Sequence, residues 1–423
     1  MRFTMIANMK YYLMILFVTS CSIHATAHGL ALNQERDDSL TFPNDTLFNQ
    51  QWGLYNSYYP DIDISVISTW NYATGKNIKI AIIDSGVAQN HIDLESNIDS
   101  LSYDTESGIS QSQINYNLDN AHHGTHCAGI AAAVKDNVTH IAGVAPDAKI
   151  VSISNSLFKS LDNSERLAKG INWAYQHDVD IISCSWEAVS NPLLDNAIYN
   201  ALRYGRHGKG CVVVFAAGNK KPFDNSYDVK YPANCNDTIL VVGSIDSTGV
   251  RAPDSCYGTE LDLVAPGVDI LSTVPYNTIM KDSGTSMACP HVAGVAALIL
   301  ERNSELTVSQ VNSIICSHAK KLSGVNFNVT KPDGSWNNEY GYGLVDAYSS
   351  VINIPGTAYI QNDTITGTRI ISADSIYVGR DVTDTKAYGD VILGQGNITI
   401  KAGYVEIRNS TTVPLGTMLT IGN

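Results

Sequence analysis

The sequence predicts an α/β protein, a doubly wound and mostly parallel sheet flanked by helices, with a small all-β module at its carboxyl end. Three observations predict it. Short, uniformly apolar runs recur at residues 80–83, 150–153, 179–184, 212–217, 239–242 and 261–265, the pattern of strands buried on both faces. Stretches of helical period lie between them, at 164–176 and 192–204, and strands alternating with helices give parallel neighbours joined by crossovers. From about Ile354 the texture changes to brief β-type runs at 358–360, 375–378, 390–393, 397–400, 404–407 and 418–421, punctuated by Gly, Asn and Asp. No helical period appears there, so the segment reads as a few solenoid-like rungs or a sandwich.

In chain order, residues 1–27 read as an export signal, with Arg2 and Lys10 ahead of an apolar core at 11–18 that is too short to span a bilayer. Met9 serves equally well as the start. Two cleavage patterns compete. Val18-Thr-Ser-Cys21 has the form of a bacterial lipobox, which would lipidate Cys21 and attach the chain to a membrane, and Ala25-Thr-Ala27 suits ordinary signal peptidase. The lipoprotein is the preferred reading. Residues 28–46 are polar and turn-rich, a linker, and 47–352 form the main domain, with 353–423 as the β-rich module. A helix at 66–73 leads into the first apolar strand. The length of 423 residues suits such a core and a small appendage. A net charge of −14 without a basic run excludes nucleic acid as a natural partner.

The chemistry sits in four strings. The first apolar run ends in Asp84-Ser-Gly86, which puts a carboxylate at the end of a buried strand. His122-His123-Gly-Thr-His126 opens a run of small, helix-compatible residues. The run at 212–217 ends in Gly218-Asn219, and Asp282-Ser-Gly-Thr-Ser286-Met-Ala places a serine after a glycine turn. A serine hydroxyl is a poor nucleophile until a base reaches it, so one Gly-Thr-Ser string means little. Four strings in the order Asp, His, Asn, Ser mean a great deal more.

On these strings the chain resembles the subtilisin-type serine proteases, over residues 47–348. The resemblance implies an endopeptidase acting on polypeptides, as a monomer and without a cofactor for catalysis. It makes Ser286 the nucleophile, His123 its base, Asp84 the carboxylate that orients the imidazole, and Asn219 a donor to the oxyanion. His122 is the rival base, but His123 is the histidine directly before Gly124-Thr125; His122 reads as a surface residue and His126 as a packed one. The resemblance also implies a structural calcium site, with Asp93 matching the family's aspartate and Asp136 and Asn137 in the corresponding loop after the histidine helix, whose pattern is altered here. Cys127 resembles the free cysteine beside the catalytic histidine of proteinase K-like members.

The chain departs from the family pattern in three places. Residues 28–46 are too few for a separate propeptide domain, so none is expected. The substrate-lining strand reads Ser185-Trp186-Glu187 where relatives carry Ser-Leu-Gly, and with Gly218 it would bind the substrate backbone. Lys230, directly before Tyr231-Pro-Ala, falls at the floor of the primary specificity pocket, where its ammonium would favour acidic side chains unless it pairs with Asp224, Asp228 or Glu187. Of seven cysteines after the signal, Cys235 and Cys256 form the one pair considered for a disulfide, and no zinc-type spacing occurs. Two other classes stand beside the endopeptidase: a binding scaffold on the same fold, and a serine-carboxyl peptidase, which needs an acid where Asn219 stands.

Overall fold

Seven strands hydrogen-bond into one sheet: β1 (Lys79–Asp84), β2 (Ile98–Asp104), β3 (Lys149–Ser154), β4 (Ile181–Cys184), β5 (Val212–Ala216), β6 (Leu240–Ile245) and β7 (Leu263–Pro266). Their order is β2-β3-β1-β4-β5-β6-β7 and every neighbour is parallel. The apolar runs behave as expected of a sheet covered on both faces, since β4, β5, β6 and β7 are buried along their whole length. From β1 the chain builds outward to β3 on one side and to β4 on the other. A doubly wound sheet binds its ligands at such a reversal, beyond the carboxyl ends of the strands.

This computed structural model describes residues 3–5, 41–112 and 122–354, and after them 357–360, 363–365, 369–372, 375–380, 390–393, 396–401, 404–407, 411–412 and 417–422. The lipobox, the competing cleavage site and most of the linker therefore lie outside the described residues. Among the described residues no helix is long and apolar enough to cross a membrane.

Four helices matter for the site: α1 (His123–Ala132), α2 (Leu161–Gln176), α3 (Pro192–Gly208) and α4 (Thr285–Arg302). α2 starts where the Ser160 side chain accepts from the Asn163 N–H, and α3 where Asn191 accepts from Leu193 N–H ahead of Pro192. α4 is buried on nearly every side and packs against α1. Small residues make that approach possible: a Cβ added at Gly294 would lie 3.3 Å from Ala131 O of α1 and 2.5 Å from Val144 Cβ in the segment that follows α1. A hairpin, β8 (Ile270–Val274) with β9 (Thr278–Asp282), leads into α4. It is tied to α1 by Ser272 Oγ donating to His126 O (2.7 Å) and Thr273 Oγ1 to Thr125 O (2.9 Å).

The structure divides into two compact units, Leu40–Ile354 and a second comprising Met1–Ser39 with Pro355–Asn423. In the second, three parallel sheets each take one strand from three successive rungs: Thr357–Ile360, Ser375–Val378 and Tyr404–Ile407; Asp363–Ile365, Val391–Leu393 and Thr411–Thr412; Arg369–Ser372, Gly396–Lys401 and Thr417–Gly422. Pairing between successive turns rather than between hairpin partners makes this a short solenoid and not a sandwich. Val378, Val391, Leu393 and Ile398 fill its interior, and Phe3–Met5 pairs antiparallel with its last strand.

Candidate active site

Asp84 is the last residue of β1, and backbone closeness brings the next group to it. A Cβ at Gly124, the second residue of α1, would lie 2.4 Å from Gly86 O, so only glycine lets the first turn of α1 rest on the turn after Asp84. Gly124 N–H donates to Ser85 Oγ (3.0 Å) and holds the contact. The result is that His123 Nδ1 lies 2.8 Å from Asp84 Oδ1 and 3.0 Å from Oδ2, with Ser85 N–H also donating to Oδ1 at 2.7 Å. Asp84 is 1% exposed. Burial is the largest single influence and pushes the His123 imidazole down, but the charge and hydrogen bond of Asp84, together with the neighbouring Cys127, outweigh it and hold His123 well above its ordinary range. Burial in turn raises the pKa of the Cys127 thiol.

Ser286 lies in the first turn of α4, after Gly284 at φ 149°. Its backbone N–H belongs to the unpaired set at a helix start, and Ser286 lines the same cleft as His123 and Asn219. The hydroxyl donates to Ser185 O at 3.2 Å, and Ser185 Oγ donates to Ser286 O at 2.9 Å. Asn219 Oδ1 accepts from Thr285 N–H (3.1 Å) and Thr285 Oγ1 (3.3 Å). That engagement orients the amide, leaving its NH₂ group free for the cleft. An anion forming beside Ser286 would meet two N–H donors and a helix N-terminus.

Cys127 is buried one helical turn along from His123, its Sγ 4.0 Å from His123 Nδ1 and 3.5 Å from Ser286 O. Asp84, His123 and Cys127 are the one group of three or more His, Cys, Asp or Glu side chains found together among the described residues, and it belongs to this site. His122 sits at the surface 3.4 Å from Asp282, while His126 is buried with Nε2 on Met280 O (3.0 Å). Neither is hydrogen-bonded to Ser286, whose hydroxyl rests on Ser185 O.

The substrate-side residues divide. Ser185, Trp186, Glu187 and Gly218 line the cleft, yet the Trp186 ring turns inward, its Nε1–H donating to Ile83 O (2.8 Å) and its face edge-on to Phe215. Its part in the cleft is therefore its backbone. Lys230 lays its stem against Gly218 and pairs with Asp224 at 2.8 Å, the partnered arrangement among those the sequence left open. Lys159 and Lys221, which the sequence did not single out, also line the cleft. They come from loops whose path only the sheet order reveals.

At a second place, Asp93 is fully buried, accepting from Asn137 Nδ2 (2.7 Å) and Ile141 N–H (3.1 Å), and burial pushes its carboxyl up to about 6. Asp45, read from sequence as linker, is buried beside it. Asp45 accepts from the N–H groups of Asp136 (2.9 Å) and Asn137 (3.4 Å), and burial raises its pKa too. Asp136 presents only its backbone here, since its exposed carboxylate accepts from Asn44 N–H (3.1 Å) and pairs with Lys135. All seven cysteines after the signal are free thiols. The disulfide considered for Cys235 and Cys256 is not formed.

Comparison with known proteins agrees with this geometry. The Subtilase family pattern matches residues 75–343. Thermitase of Thermoactinomyces vulgaris is 36% identical over 73% of this chain and 99% of its own length. Subtilisin DY of Bacillus licheniformis is 40% identical over 59% of this chain and 85% of its own. A solved protease from Pseudoalteromonas arctica superposes with a TM-score of 0.58 at 28% identity, covering 74% of this chain and 99% of that one.

Proposed function

The chain belongs to the subtilase family and is a subtilisin-like serine endopeptidase, and from that premise we propose that Asp84, His123, Ser286 and Asn219 carry out the hydrolysis. The observation that carries the assignment is the imidazole gripped by both oxygens of a buried carboxylate, in one cleft with a serine at a helix start. In the proposed reaction His123 Nε2 takes the Ser286 proton as Oγ attacks the peptide carbonyl. Asp84 keeps Nδ1 protonated and stabilises the imidazolium. Asn219 Nδ2 and the Ser286 N–H hold the oxyanion, His123 returns the proton to the leaving amine, and water repeats the sequence on the acyl-enzyme. The reading predicts that Ser286→Ala, folded as judged by circular dichroism, loses both peptide hydrolysis and labelling by a serine-directed phosphonate. A variant that keeps most of its activity would sink it.

We assign the buried carboxylates of Asp45 and Asp93 to a structural calcium ion; Asn137 turns its NH₂ to Asp93 and its Oδ1 to the Thr139 N–H, so its side chain is not among the oxygen donors. Two buried carboxylates raised by desolvation are a poorly neutralised pair, and hard oxygen donors fit a hard divalent cation. The ion would brace the loop after α1 and take no part in the chemistry. Export with lipidation at Cys21 completes the proposal. Mass spectrometry of the mature amino terminus tests it: a diacylated Cys21 is expected, and a chain starting at His28 would contradict it.

A further inference from the structure

The charges in the cleft beside Ser286 narrow the substrate, an inference that rests on the endopeptidase reading. Lys159, Glu187 and Lys221 line that cleft together with His123, Asn219 and Ser286. They follow β3, β4 and β5 in the chain, so their loops rise from the carboxyl crest of the sheet on either side of the strand that bears Glu187. The Glu187 side chain is 17% exposed, whereas those of Lys159 and Lys221 are 46% and 58% exposed. Glu187 Oε2 pairs with Lys159 and lies 3.9 Å from Lys221. Its Oε1 points at the cleft wall, 3.3 Å from where a Cβ on Gly218 would stand. A carboxylate thus sits inside the cleft with two ammonium groups reaching over it.

One carboxylate does not balance two ammonium groups. The third cation nearby, Lys230, pairs with Asp224 at 2.8 Å, and Asp224 also accepts from the Lys221 N–H at 3.1 Å, so three ammonium groups share two carboxylates. The cleft is left with an excess of positive charge, and low-dielectric walls focus such a field on an arriving group. A cationic substrate side chain would have to expel both lysines to reach Glu187. An anionic one needs only to take the place that Glu187 occupies. We propose that this enzyme selects acidic side chains on the acyl side of the scissile bond, with Lys159 and Lys221 receiving the substrate carboxylate and Glu187 acting as the resident counter-ion it displaces.

The test uses the full chain and matched peptides that differ only in Glu, Gln or Lys before the scissile bond. Phosphonate labelling first counts competent Ser286. The wild type should cleave the Glu peptide over the Gln peptide by roughly ten-fold in kcat/KM, the scale of a charge-assisted hydrogen bond. The ratio should shrink in about 1 M salt, where exposed charges are screened. Replacing both Lys159 and Lys221 by Ala should bring it near one, and Glu187→Gln should raise it several-fold by releasing the lysines. A preference for Lys, a ratio near one in a fully labelled enzyme, or a fall in the ratio on Glu187→Gln would each overturn the proposal, the last by making Glu187 itself the recognition group. Fluorescence anisotropy with the same peptides on the Ser286→Ala chain reads the preference without turnover. A failure of labelling therefore counts against the triad, while the binding ratio still decides the selectivity.

Discussion

Replacing Asp84 by Asn keeps the shape of the site and removes one charge, and the hydrogen bonds around it predict the outcome. Asp84 Oδ1 accepts from both Ser85 N–H (2.7 Å) and His123 Nδ1 (2.8 Å), and Oδ2 lies 3.0 Å from the same Nδ1. In the variant, an amide oxygen placed at Oδ1 keeps the Ser85 bond, but the NH₂ then faces His123 Nδ1. The opposite orientation sets the NH₂ against the Ser85 N–H. The best-satisfied state therefore has Nδ1 accepting and Nε2 carrying the proton, and this tautomer cannot take a proton from Ser286. Restoring the working tautomer leaves a buried donor unpaired, about 1–3 kcal/mol, and loses a charge-assisted bond to the imidazolium, about 1.5–3 kcal/mol. Together these predict a loss of roughly 10²–10⁴ in kcat. The pH profile should move as well. His123 must be neutral to act, so in the parent the acid limb of kcat/KM lies above the ordinary histidine range, because Asp84 raises its pKa. Without that charge the main lift on His123 is gone, and the limb should shift to lower pH. Steady-state kinetics from about pH 5 to 10, with the thermal midpoint as a check on folding, make the test. A kcat within ten-fold of the parent, or an unmoved acid limb, would refute the reasoning.

Two further outcomes follow from the neighbouring chemistry. Calcium at a hundred times its dissociation constant stabilises by about 2.7 kcal/mol, so chelation should lower the melting midpoint by roughly 5–10 °C. Asp45→Asn should abolish the difference, and equal midpoints with and without calcium in the parent would remove the site. Mercurials should inactivate the enzyme slowly, and faster as pH rises toward the elevated thiol pKa of Cys127, because the metal would lodge between His123 and Ser286 O. Cys127→Ser should stay active and resist; full sensitivity in that variant would assign the effect to another thiol.

What was legible in the sequence follows from what the fold demands of single residues. A strand covered on both faces has to be apolar throughout, so 80–83 and 212–217 announced themselves, and with them the positions of Asp84 and Asn219 at strand ends. β2 did not. It is the edge strand of the sheet, partly exposed along Ile98–Leu101, and its Ile-Asp-Ser-Leu-Ser-Tyr-Asp sequence carries no apolar run. Asp45 was hidden for a different reason. Its neighbours in sequence are polar and turn-forming, as in a linker, and its burial comes from a loop more than ninety residues later that donates two N–H groups to it.

The same distinction explains why the residues of the proposed triad stand out in the sequence and the charge pattern of the cleft does not. Asp84, His123 and Ser286 stand in strings whose neighbours are constrained by backbone geometry: a glycine that admits Gly86 O beside α1, another at φ 149° before α4. Those constraints leave a mark in the local sequence. Lys159, Glu187 and Lys221 are bound by no such rule, for each lies in a loop, and they meet only because β1 and β4 lie between β3 and β5. Lys230 shows the consequence. Its position in the string was enough to place it near the cleft, but whether its charge acts there depends on Asp224, six residues away along a loop, and that pairing at 2.8 Å shifts the weight of selectivity onto the two lysines above it.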